Sequence, residues 1–240
     1  MAMTLLGERL TEDHRLVQAR LMSVVSIQVL QIWGGFDIRR IDESWLFLEP
    51  ALMAVIERAR RESEDITDVY FRSFRDAEDV PGPAPTDYRV ARDWQTPAKV
   101  SLRVTGPVTA KRLVQQKAPQ PEKVALVRAT GVATRVVADG GRELLGNAIR
   151  RDRRSLGYAR VTSPRPCAFC AMIAGRGPVF RKTTVEFDAH DHCGCTGEPV
   201  YDRRTRWPGR AHEFEELYKS STVGADDPLN AFRRAYEAAA

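Results

Sequence analysis

The chain has 240 residues, 43% of them hydrophobic and 29% charged. That balance belongs to a globular protein and excludes a chain disordered throughout. The longest charge-free run, Leu21 to Phe36, is interrupted by Ser23, Ser26, Gln28 and Gln31 and is shorter than a membrane span needs, and no basic stretch leads an apolar one as in a secretory leader. The expectation is a soluble chain that stays where it is made. The net charge of +5 is unevenly spread: residues 1–80 hold 10 basic against 15 acidic side chains, and residues 81–240 hold 27 against 17. Such asymmetry suggests an acidic part that faces protein and a basic part that faces something anionic.

Taken in chain order, Thr11 followed by Glu12 and Asp13 reads as a helix start. Leu16, Val17, Leu21, Val24, Val25, Val29 and Ile32 then keep a helical period until Gly34-Gly35. A second start at Asp42-Glu43-Ser44 leads into a helix from Trp45 to about Phe74, with Trp45, Leu48, Leu52, Val55, Ile56 and Ala59 as its apolar stripe. The two are expected to form an antiparallel pair, an acidic helical region over residues 1–78. Residues 79–98, rich in proline, read as a linker. Residues 99–154 form a central helical region. In it Val100, Leu102 and Val104 alternate like a short strand, a helix follows around Val108 to Gln115, and the longest helix runs from Pro121 to about Asp152. Gly140-Gly141 is expected to kink or split that helix. Tyr158–Val161 and Pro199–Tyr201 read as strands bracketing a module over residues 155–210, and two closing helices fill residues 211–240.

All four cysteines, Cys167, Cys170, Cys193 and Cys195, fall within 29 residues, and His190 and His192 share the window. Stabilising disulfides usually tie distant segments, whereas this crowding gathers soft ligands at one point. Cys167-x-x-Cys170 has the spacing that lets two thiolates reach one ion from a tight turn, and a second pair can come from His190, His192, Cys193 and Cys195. The expectation is a structural zinc site of Cys₃His or Cys₂His₂ type, with the choice of four among six left open. Pro166-Cys167-x-x-Cys170 also matches half of the zinc-deaminase signature, but the other half needs a ligand two residues before a catalytic glutamate. His14 is followed by Arg15 and Leu16, so that reading fails. The His190-Asp191-His192 string evokes a metal-dependent nuclease, yet these histidines are already claimed by the zinc site. None of the common short protease motifs occurs, while distant Ser/His or Ser/Lys partners stay open. His14 and His212 are expected to cap or lie on the surface of helices.

Read in order, C-x-x-C, then G-R-G-P-V-F, H-D-H-C-G-C and E-P-V-Y, over about residues 155–203, the module resembles the C-terminal domain of phage Mu F-like minor head proteins, in the version found in actinobacterial phages. The resemblance aligns Cys167, Cys170, His190, Cys193 and Cys195 with the family's metal-binding pattern. Asp191 stands where the family commonly has proline, and His192 has no counterpart. It implies a minor capsid, head-morphogenesis role inside the virion, at the portal or inner capsid and in the host cytoplasm during assembly, with portal or major capsid protein as partner and no membrane. Relatives are often labelled capsid maturation proteases, so a protease, or less readily a zinc-associated nuclease, is the alternative; no catalytic residue is assigned. Arg150, Arg151, Arg153, Arg154, Arg160 and Arg165 crowd the approach to the module, and Arg203, Arg204, Arg206 and Arg210 follow it. Their planar forks suit phosphates and carboxylates, which points to sequence-independent contact with packaged double-stranded DNA or docking on an acidic partner. The fold expected is mainly α, with a helical N-terminal part and a small α+β zinc-binding C-terminal module.

Overall fold

The computed structural model describes residues 2–182, 187, 189–204 and 207–239. Three long helices form the body: α1 (Leu5–Trp33), α2 (Ile41–Ala77) and α5 (Pro121–Arg151). Between α2 and α5 lie α3 (Gln95–Arg103), a π-helical turn (Val104–Val108) and α4 (Thr109–Gln115). The C-terminal part comprises β1 (Gly157–Val161), α6 (Ala168–Ala174), β2 (Phe180–Arg181), β3 (Thr196–Val200), α7 (Ala211–Thr222) and α8 (Pro228–Ala239). The sheet is antiparallel, in the order β2-β1-β3, with Tyr158 opposite both Phe180 and Pro199. The chain is mainly helical, as expected, and the two module strands and both closing helices lie where the sequence put them.

The principal core joins α1, α2, α3, α4 and α5. Val25, Val29, Leu52, Ile56, Leu102, Ala129 and Val137 are buried in one cluster, and Trp33 stacks on Phe36 and meets Trp45 edge-on. A second cluster, with Phe71, Phe74, Leu145, Ile149 and Tyr158, carries the core from the far end of α2 and α5 into the sheet.

Four expectations need correction. First, α1 starts at Leu5, capped by the Thr4 hydroxyl accepting from the Gly7 amide at 2.9 Å. Thr11 is buried inside the helix, bonded to Tyr70 and Glu198. The α1 interface with α2 and α5 is partly polar there, running through Thr11, His14 and Gln18, while Leu16, Val17 and Val24 face outward. Apolar periodicity therefore mixed two faces: Leu21, Val25 and Val29 lie in the core as expected, while Leu16, Val17 and Val24 do not. Second, Val100, Leu102 and Val104 belong to helix and π turn. Ala98 and Leu102, four apart, are buried, and Val100 and Val104 are exposed, so a three-residue alternation imitated a strand. Third, Gly140 and Gly141 leave α5 continuous and serve close approach instead. A Cβ at Gly141 would stand 2.5 Å from Thr67 Oγ1, and one at Gly140 would stand 2.9 Å from the Arg60 carbonyl. Fourth, His14 is no surface residue. It is buried, its ring lies parallel to Tyr70 with centroids 4.1 Å apart, and burial lowers its pKa to about 3.

The proline-rich stretch before α3 lies against α2. Tyr88 is buried beside Phe71 and its hydroxyl donates to Asp68. Arg75, itself buried, holds the Val80, Pro81 and Gly82 carbonyls and pairs with Asp152 at 3.1 Å. α1 is long and apolar enough by length and composition to cross a membrane; in this fold its inner face is a wall of the core and its outer face is bare.

Candidate metal centre

Cys167 is the N-cap of α6 in extended conformation, so its sulfur accepts from the Cys170 amide at 3.3 Å and sits one helical turn from the Cys170 sulfur. The second group arrives from the 187–195 segment, whose final residues lead into β3. Cys170, Cys193 and Cys195 are buried and Cys167 and His190 are exposed. The donor atoms form two triads, Cys167/Cys170/His190 and Cys170/Cys193/Cys195, each within 4.8 Å, which share the Cys170 sulfur.

These residues fit a metal by a test of distance and donor type. Tetrahedral zinc with thiolate bonds of about 2.3 Å places its sulfurs about 3.8 Å apart. The Cys170 and Cys193 sulfurs are 3.6 Å apart, and His190 Nε2 is 3.7 Å from Cys170 Sγ and 2.9 Å from Cys167 Sγ. His190 Nδ1 lies 2.6 Å from the Asp191 carbonyl. Donation through Nδ1 leaves Nε2 with a free lone pair toward the sulfurs, the usual tautomer of a histidine that binds metal. The buried thiols share protons unequally: the Cys170 thiol donates to Cys193, which raises Cys170 and lowers Cys193, and the Arg142 charge lowers Cys193 further. A thiolate-binding cation would take the place of those protons.

Two arginines complete the surroundings. Arg142, on the buried side of α5, donates to the Cys193 carbonyl at 2.6 Å and to the Cys195 carbonyl at 2.9 Å, and is braced by Asp139. Arg160, on β1, lies 3.7 Å from the Cys170 sulfur, and both guanidinium groups lie over the Phe187 ring. Arg135 pairs with Asp191 at 2.8 Å, so the ligand loop is held to α5 at two places. The sequence reading did not single out Arg142, Arg135 or Phe187. The available signal was a lone arginine wedged between Gly140-Gly141 and Leu144-Leu145 on an apolar helix face.

Two proposed site residues are placed otherwise. His192 stands apart from both triads. It takes a left-handed backbone (φ 63) and packs on Gly131 of α5, where a Cβ would meet its Nε2 at 2.6 Å. Arg160 is buried in the metal surroundings and cannot reach DNA or a partner surface. The remaining arginines are exposed, but in two groups. Arg150, Arg151, Arg153 and Arg154 end α5 and form the turn after it, and Arg203 reaches the Leu156 carbonyl beside that turn, with Arg204 next in the chain. Arg165 and Arg210 lie instead around α6 and α7, and Arg206 falls outside the described residues. Some of this charge is answered locally, Arg151 by Asp87, Arg204 by Asp202 and Arg210 by Glu213.

No curated protein and no solved structure matches the chain. A family model described as VG15 protein matches residues 8–221, from the first helix through the metal loop to the end of α7. Since that span takes in both the helical body and the cysteine module, the chain belongs to the VG15 protein family, a family of phage proteins.

Proposed function

We propose that the chain is a minor head protein of a tailed phage, of the Mu F-like head-morphogenesis kind, seated at the portal or inner capsid. In this reading a zinc ion is a structural staple for the C-terminal module. Cys170, which belongs to both triads, anchors it with Cys193, His190 is the nitrogen donor, and either Cys167 or Cys195 completes the four. The module then presents the Arg150–Arg154 and Arg203–Arg204 group to packaged DNA or to an acidic head protein.

The observation that carries the structural role is the surroundings of the donors. The buried sulfurs are backed by arginine, carbonyl and aromatic groups, and the adjoining carboxylate, Asp191, is engaged by Arg135. A hydrolytic zinc site needs an open position and a carboxylate or imidazole free to move a proton. When bound, zinc would supply cross-linking of two remote stretches, while Arg142 fixes the loop and Arg160 offsets thiolate charge.

The test is metal analysis of purified protein together with assembly in infected cells. Zinc near one per chain, lost in Cys170→Ser, and Cys170→Ser heads lacking the protein would support the reading. Cleavage of capsid protein or of DNA that disappears on one Ser or His substitution, with the fold intact, would replace it with the enzyme reading. DNA contact would show as binding that weakens steeply with salt and drops in Arg150/Arg151/Arg153/Arg154→Ala.

A further inference from the structure

The outer face of α1 is apolar from Leu16 to Leu30 save for Arg20 and Ser23, is free of charge from Leu21 onward, and is covered by nothing among the described residues. Leu16, Val17, Val24, Ile27 and Leu30 are all exposed, Ile27 and Leu30 by 56% and 58%. Their spacing is seven: Leu16, Ser23 and Leu30 form one row and Val17, Val24 and Gln31 another, with Arg20 and Ile27 between. That is the pattern of a helix seam that packs on another helix. Across the hairpin connection, Leu46 and Phe47 at the start of α2 are exposed by 72% and 78%, and Pro50, Ala51 and Ala54 after them are exposed as well.

We infer that this face joins two copies of the chain, α1 against α1 in antiparallel sense, with Ser23 at the two-fold axis. Three observations select a second copy over another occupant. Leu16, Val17, Val24, Ile27 and Leu30 each keep 38–58% of their surface open, and with Leu46 and Phe47 the open apolar area is of the order of the ~800 Å² that one partner contributes to a stable interface. The row is self-complementary: a two-fold at Ser23 sets Leu16 opposite the Leu30 of the other copy, with the small serine where the helices come closest. The Ser23 hydroxyl already donates to the Ala19 carbonyl at 3.1 Å, so burying it strands no polar atom. Arg20 lays its stem along the seam and keeps its charge at the rim.

The inference stands apart from the metal reading and is tested on full-length zinc-loaded protein. Light scattering at tens of micromolar is expected to give a dimer. Ile27→Asp with Leu30→Asp should weaken it at least tenfold without changing the circular dichroism, since both side chains are exposed. Ser23→Cys should give a disulfide-linked dimer under mild oxidation that the wild type, with its native thiols, does not give. A monomeric wild type, or a dimer indifferent to Ile27→Asp/Leu30→Asp, would overturn it. So would flotation of the wild type with phosphatidylglycerol vesicles that the double variant abolishes, because the face would then be a lipid contact.

Discussion

The helical body and the C-terminal module reach stability by different means. The body buries one large continuous cluster from five helices and a second around Phe71, Phe74 and Ile149. The apolar cluster of α6–α8 buries five side chains, Ala171, Ala174, Ala211, Phe214 and Phe232, and that of the ligand loop holds only Cys170, Cys193 and Cys195 with Phe187 and Ala189 against them. A core that small does not offset the ordering of so many residues, so an ion that binds only the folded form becomes a main source of stability. The body should outlast the module whenever the ion is taken away.

Chelation gives the sharpest break between the two. Structural zinc is worth about 10 kcal/mol or more in small domains at neutral pH. Removing it, or Cys170→Ser, should erase amide-exchange protection in β1, α6 and β3 while α1, α2 and α5 stay protected. Equal loss in both regions would show that they do not differ in this way.

The next largest effect lies on the body's side. Asp152 and Arg75 are both buried and pair at 3.1 Å, and Tyr201 donates to the same carboxylate. Asp152→Ala leaves a buried guanidinium without its partner, for which a loss of about 3–5 kcal/mol is expected in denaturant melts.

Acid should strike the body through His14. Its folded pKa near 3 lies below the ordinary 6.5, so the folded form holds the ring neutral and the unfolded chain takes up the proton first. The stability tied to this ring is present above pH 6.5 and lost as pH falls from there toward 3, with a slope of about 1.4 kcal/mol per unit. Glu198 is also buried and its pKa is raised, which opposes the trend. His14→Gln should flatten the stability curve between pH 6.5 and 4 relative to the wild type.

Two smaller effects probe the two sides of α5, one facing the module and one facing α2. Arg142→Met removes the donors to the Cys193 and Cys195 carbonyls and should weaken zinc binding about 10–100-fold in a competition titration, with the helices intact. Gly141→Ala should lower stability by about 1–3 kcal/mol, because the new methyl meets Thr67 and Ser63 across the α2–α5 contact.

Much of the fold was legible because α2 and α5 carry dense apolar stripes, and the cysteine window announced itself by spacing. What the sequence concealed has physical causes. Thr11, His14 and Gln18 bond to Glu198 and Thr67 inside the bundle, and a buried polar network has no period to read. Arg160 counted as surface charge and Arg142 passed unremarked, because nothing local reveals that a guanidinium will face thiolates and backbone carbonyls. His192 looked as good a ligand as His190, and only the left-handed turn at that position sends its ring to Gly131.

Glu198 ties these parts into one mechanical element. It receives the Ala2 amide at 2.9 Å and the Thr11 hydroxyl at 2.7 Å, and it sits on β3 three residues beyond Cys195. The rigid rod of α1 therefore ends on the strand that leaves the metal loop. Leu30 lies about 28 Å along that rod from Thr11, so one buried carboxylate links the helix that carries the open apolar face to the strand that leaves the cysteines.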